Sequence, residues 1–215
     1  SRHTMAHNRL SLCLLLRDSI MNDFFIANNR SISTAFLDAS VDVRQVQMKY
    51  FDLWLSHAEP VKAFLKDKDY SDEILTALFK EHTIAVLTIC NMVTDLDSDK
   101  LLSQAKESEV KFLNILKAVL TVNQAYFKPQ PEKPKMGQKK EVVSDSTWFD
   151  SFQFLVSAGH HHQDIMNMTY GAYERYLKAA TKDYRSKLQY LTVAIRSAQH
   201  ADANDFKKFM DELKP

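Results

Sequence analysis

The sequence predicts an all-α protein, an antiparallel bundle of six or seven helices. Only three of its 215 residues are glycine, where average usage would give roughly 15, and hairpin turns and phosphate loops both draw on glycine. Hydrophobic residues make up 45% of the chain and aromatic ones 11%, which is ample for a core at this length. Apolar residues also recur at helical spacing through most of the sequence.

Each element follows from its own pattern. Residues 6–27 read as a first helix, with Leu12, Leu15 or Leu16, Ser19 or Ile20, Asp23 or Phe24 and Ala27 inward. The polar stretch 28–34 ends it, because Asn and Ser side chains compete for backbone hydrogen bonds. A second helix is expected over 42–58, marked by Val43, Val46, Tyr50, Leu53, Trp54 and His57, and Pro60 should stop it. Pro60 can itself open a short helix with Val61, Phe64 and Leu65 facing in.

The stretch 73–96, EILTALFKEHTIAVLTICNMVTDL, predicts a central helix. Leu75, Leu78, His82, Ala85, Ile89, Met92 and Leu96 form one stripe, and Val86, Cys90 and Val93 occupy a second face. A helix apolar on most sides must be enclosed by others. Ser71 is its expected N-cap, with two acidic residues in the first turn. Asp97 or Ser98 then caps a fourth helix reaching about residue 127, whose stripe is Leu102, Ala105, Phe112, Leu116, Val119, Asn123 and Tyr126.

Residues 128–146, KPQPEKPKMGQKKEVVSDS, break the composition with three of the five prolines and read as a linker or exposed loop. The expected organisation is therefore an N-terminal helical bundle over 1–127, this linker, and a C-terminal helical segment over 147–215 packed on the first. In that last segment Trp148, Phe152, Leu155, His162, Met166, Tyr170, Tyr173 and Leu177 predict a long helix interrupted at Gly159 and Gly171. Asp183 reads as the start of another, with Tyr184, Leu188, Leu191, Ile195 and Ala198 inward, and Asp202 caps a final short helix carrying Phe206, Phe209, Met210 and Leu213. The segments 66–127 and 145–206 share an outline, and KFLNILKAVLTVNQ (111–124) can be laid on KLQYLTVAIRSAQ (187–199).

Charge and motifs exclude several function classes. Lysine and arginine number 28 against 27 acidic residues, so no global field draws in nucleic acid or an anionic membrane. The longest uncharged run, 82–94, is shorter than the roughly 20 residues a bilayer span requires. LSLCLLL at 10–16 is followed at once by Arg17 and Asp18, which argues against a secretory signal. Cys13 and Cys90 both lie in apolar runs and are expected to be reduced thiols, which suits a cytoplasmic location. There is no glycine-rich phosphate loop, nucleophile elbow or paired zinc-ligand motif, and no cofactor is expected.

VQMKYFDLW (46–54), KDKDYSD (66–72) and FLNILKAVLTVNQAYFKPQPE (112–132) resemble the helical N-terminal region of polyhydroxyalkanoate synthases. The resemblance covers less than half the chain and rests on spacing with scattered identities. The glycine-flanked cysteine nucleophile and hydrolase-type domain of that family are missing. The resemblance implies a docking or granule-associated piece, with a hydrophobic polymer or granule surface as partner.

The candidate chemistry is sparse. His160, His161 and His162 suggest a metal, but consecutive helical residues point about 100° apart and cannot all grip one ion. A metal-binding bundle would need His160 or His162 together with His82 or His57. Those last two lie on apolar stripes, where a hydrogen-bonded core histidine is the commoner role. Tyr170, Tyr173, Tyr176, Tyr184 and Tyr190, with Trp148 and several phenylalanines, make the C-terminal third aromatic-rich, an excess that suits core or a groove for a partner helix or an apolar ligand, and Trp148, Phe149, Tyr170, Tyr173 and Tyr176 form the candidate partner surface. The expected function is a non-catalytic binding module, an adaptor, scaffold or assembly component, working through contacts with a protein partner or by self-association.

Overall fold

A computed structural model describes residues 23–36, 39–127, 147–200 and 202–212. Over these it is mostly helical, with α1 (Asp23–Ala27), a hairpin of β1 (Ile32–Phe36) and β2 (Ala39–Val43), and a 3-10 turn at Met48–Tyr50. Helices α2 (Phe51–Leu65), α3 (Asp72–Glu81), α4 (Thr83–Val93), α5 (Ser98–Glu107), α6 (Glu109–Val122) and α7 (Gln124–Phe127) follow. After residues 128–146 come α8 (Trp148–Ser157), α9 (His162–Asn167), α10 (Tyr170–His200) and α11 (Ala203–Glu212). The expected linker, Cys13 and most of the expected first helix lie outside the described residues.

The hairpin departs from an all-helical reading. Val41 and Val43 are buried while Ser40 and Asp42 are exposed, so the side chains alternate with the period of two that a strand requires. Its register pairs Ile32 with Val43 and Thr34 with Val41. A lone two-stranded hairpin is marginal in water, and this one packs on α6. Val43 and Val46 therefore belong to extended chain and not to a helix over 42–58.

Helix α2 starts at Phe51 and runs through Pro60 to Leu65, so proline does not stop it. Its buried side is Phe51, Trp54, Ala58, Val61 and Leu65, at spacings of three and four, whereas Tyr50 and Leu53 are exposed. Proline in a helix interior costs about 3 kcal/mol. Burial of Val61 and Leu65 at roughly 1.5–3 kcal/mol each offsets that.

The expected central helix is two helices, α3 and α4, broken at His82. Thr83 begins the second, and its hydroxyl donates back to the Phe79 carbonyl at 2.6 Å. α4 is the enclosed one, burying Val86, Leu87, Ile89, Cys90 and Val93 against α2, α3, α5 and α6. Asp97 caps α5 by accepting the Lys100 N–H at 2.7 Å. The expected fourth helix is interrupted at Ser108 and again at Asn123.

Helix α8 is closed at both ends by its own sequence. Thr147 Oγ1 accepts from the Asp150 N–H at 3.2 Å and Asp150 Oδ2 accepts from the Thr147 N–H at 2.7 Å, a reciprocal capping box. Hydrogen bonds from Thr147 hold the Asp150 carboxyl below the usual carboxylate range. At the other end Gly159 takes φ of 102°, and the His160 N–H reaches back to Leu155 O at 3.1 Å. That six-to-one closure requires the left-handed conformation glycine supplies.

The main core joins the segments on either side of residues 128–146. Leu155, Ile165 and Tyr173 pack in the same cluster as Trp54, Leu75, Ile89 and Leu116. Gly171 does not interrupt α10, and Asp183 does not start a new helix; it lies mid-helix on the surface, paired with Lys187 at 2.7 Å. No helix among the described residues is long and apolar enough to cross a membrane.

Candidate docking groove

A groove runs between α8 and α10. One part, of about 390 Å3, is lined by Trp148, Ser151, Tyr170, Tyr173 and Leu177; an adjoining part, of about 590 Å3, is lined by Ser151, Phe154, Leu177, Tyr184 and Leu188. Ser151 and Leu177 belong to both, so the two are one trough. Its apolar walls follow from two helical phases. On α8 Ser151 and Phe154 are three apart, and on α10 Leu177, Tyr184 and Leu188 continue the stripe that begins at Tyr170 and Tyr173. Charged rims come from Asp150, Glu174, Lys178 and Arg185.

The head of the groove is built on the aromatic core. Tyr170 stacks on Phe51 with centroids 4.5 Å apart and planes 8° apart, and Trp148 meets the same Phe51 edge-on at 5.5 Å. Phe51 in turn stacks on Trp54. A half-exposed indole held by a fixed ring beneath it is a pre-organised contact, which lowers the ordering cost of binding. Phe154 closes the other side edge-on to Tyr184 at 6.0 Å.

No family model, curated protein or solved structure matches the chain.

The structure divides the five aromatic residues expected to face a partner. Trp148, 48% exposed, and half-buried Tyr170 line the groove head, and Tyr173, 2% exposed, supports it from within the core. Phe149 is exposed but lies outside the groove lining, and Tyr176 turns to the α8–α9 connection, where it meets the His160 ring at 5.0 Å. Phe154, Thr181 and Leu188 also line the groove, as does Tyr184 of the wider aromatic set. The sevenfold spacing of Leu177, Tyr184, Leu191 and Ala198 was the available signal.

The candidate chemical residues are dispersed. His160 lies against Tyr176, His161 is the residue before α9, and His162 opens that helix. His82 packs edge-on to Phe64, and His57 is half-exposed on α2. Among the described residues no three His, Cys, Asp or Glu side chains gather as a group able to hold a metal ion. Cys90 is fully buried and burial pushes its thiol up to about 12, so it remains protonated and unreactive near neutral pH.

Burial also pushes the Tyr126 and Tyr170 hydroxyls up to about 12, with Glu59 adding to the shift at Tyr126 and Glu174 at Tyr170. In the unfolded chain these groups ionise near 10. Between those values the native state holds more protons than the unfolded state, so stability falls as pH rises. The urea midpoint is expected to be flat to about pH 9 and to fall steeply above 10. Tyr170→Phe should reduce that slope, and a midpoint independent of pH to 11.5 would contradict the assignment.

Proposed function

We propose that this chain is a helical protein-binding module whose docking surface is the α8–α10 groove. The observation that supports this most is Trp148. It is a large aromatic side chain, half-exposed, at the head of an apolar trough and fixed from below by Phe51. Anchors of this kind dominate binding energy at interfaces, and the charged rims of the trough fit the usual division into apolar centre and polar edge. The occupant that fits a two-helix groove is an amphipathic helix with apolar residues at i, i+3 or i+4, and i+7.

The test is site-specific photocrosslinking in source cells. A photoreactive residue at Phe154 is expected to capture one discrete protein, and one at Leu53, 63% exposed on α2, is not. Trp148→Ala should weaken that capture by at least about tenfold, the loss expected for an interface anchor. Equal capture from both positions, or none from the groove, would count against the proposal.

A further inference from the structure

From the far end of the groove, which Tyr184 and Leu188 line, onward along α10 to Ile195, and along all of α11, apolar stripes face solvent. Tyr184, Leu188, Leu191 and Ile195, at spacings of four, three and four, are 45–56% exposed. Helix α11 buries none of its residues, and its Phe206 and Met210 are 44% and 45% exposed. An isolated helix of ten residues is marginal in water, so α11 needs a surface to pack on. The sequence of this part of α10, KLQYLTVAIRSAQ, has the outline of KFLNILKAVLTVNQ in α6, where Phe112, Ile115, Leu116 and Val119 are wholly buried.

Charge decides what can cover the α10 stripe. Residues 170–200 carry six basic side chains (Arg175, Lys178, Lys182, Arg185, Lys187 and Arg196) and two acidic ones, Glu174 and Asp183. Two copies of α10 packed on each other would juxtapose like charge, which costs stability. A covering helix should be apolar on one side and acidic in balance. The chain itself carries such a helix, since residues 202–212 hold Asp202, Asp205, Asp211 and Glu212 against Lys207 and Lys208, with Phe206, Phe209 and Met210 on one side. Helix α11 is about 15 Å long and the stripe from Tyr184 to Ile195 about 16 Å, so the lengths match.

We infer that a second copy of this chain covers this surface, each α11 lying on the partner's α10 in a two-fold bundle of four helices. The arrangement is isologous, so one contact made twice satisfies both exposed stripes and both charge imbalances. It rests on the reading of the chain as a protein-binding module, and the surface it uses shares with the groove only the end away from Trp148, at Tyr184, Arg185 and Leu188.

Charge reversal with complementation tests it on the full chain. Arg185→Glu with Arg196→Glu makes the 183–200 part of α10 acidic; Asp205→Lys with Glu212→Lys makes α11 basic. By sedimentation, the unaltered chain is expected to be a dimer, and each double variant alone to dissociate at least about tenfold more readily. An equimolar mixture should recover a heterodimer, since each copy then meets its charge complement twice. Circular dichroism of each variant verifies that helix content is kept, and Trp148→Ala should leave the dimer intact. A chain that is monomeric throughout, including one that captures a separate acidic helix, would overturn the inference. So would a dimer that neither double variant weakens.

Discussion

Replacing Trp54 with alanine is expected to destabilise the protein by about 3–5 kcal/mol, the range for removing a large aromatic side chain from a packed core. Against a typical domain stability of about 5–15 kcal/mol, this is a large part of the whole. Trp54 is fully buried, stacked on Phe51 at 5.9 Å and meeting Tyr126 and Phe127 edge-on at 5.1 and 5.4 Å. Geometries of this kind add about 0.5–1.5 kcal/mol per pair beyond area burial.

The same residue offers a sharper comparison. Its Nε1 is buried with no hydrogen-bond partner among the described residues, and a desolvated donor left unpaired costs about 1–3 kcal/mol. Trp54→Phe removes that donor while keeping a ring in the stack, so it should lose far less than Trp54→Ala. Urea midpoints at constant slope measure both. Equal losses would show that the indole nitrogen has a partner and that the cavity argument is incomplete. Because Phe51 links Trp54 to Tyr170 and Trp148, the alanine variant should also loosen the groove head.

How much of this was legible in the sequence depends on the range of the contacts involved. Helical phase is local, and it marked Leu75, Leu78, Ile89 and the second face Val86, Cys90 and Val93, all of which are buried. The hairpin was hidden because Val41 and Val43 alternate over too few residues to outweigh the helical spacing of Val43, Val46 and Tyr50. Its stability comes from α6, nearly 80 residues away in the chain. Asp183 misled for a different reason: an acidic residue can cap a helix or pair with Lys187 on a helix surface, and only the uninterrupted sevenfold phase across it distinguishes the two. The groove needed α8 and α10 side by side, a long-range fact that no window of sequence contains.

The second large effect is expected at Asn123, where a polar residue on an apolar stripe secures extended chain between two helices. It is 4% exposed. Its Oδ1 accepts the Val46 N–H at 2.8 Å, and its Nδ2 donates to Arg44 O at 3.3 Å and Val119 O at 3.0 Å. On the other side of this extended segment the Tyr170 N–H donates to Val46 O at 2.9 Å. Asn123→Leu keeps the volume but orphans the Val46 donor and the Arg44 acceptor, at about 1–3 kcal/mol each, so a loss of about 2–6 kcal/mol is expected. Hydrogen exchange at the Val46 amide should quicken by more than the global loss predicts if the segment is released locally.

Asn123→Asp adds a pH signature that a cavity alone would not. One carboxylate oxygen can still accept from Val46, but the other would face the Arg44 and Val119 carbonyls where an N–H₂ donated before. Burial and those carbonyls disfavour the charge, raising the folded pKa above the value of about 3.9 in the unfolded chain. Between the two values the native state binds more protons, so stability falls with rising pH. Relative to the unaltered protein, this variant should be weakest at pH 7 and recover as pH falls towards 4.5, where a protonated carboxyl donates to a carbonyl again. Asn123→Leu should show no such recovery. If both variants lose the same stability at both pH values, Asn123 is filling space and the segment is held by its backbone contacts alone.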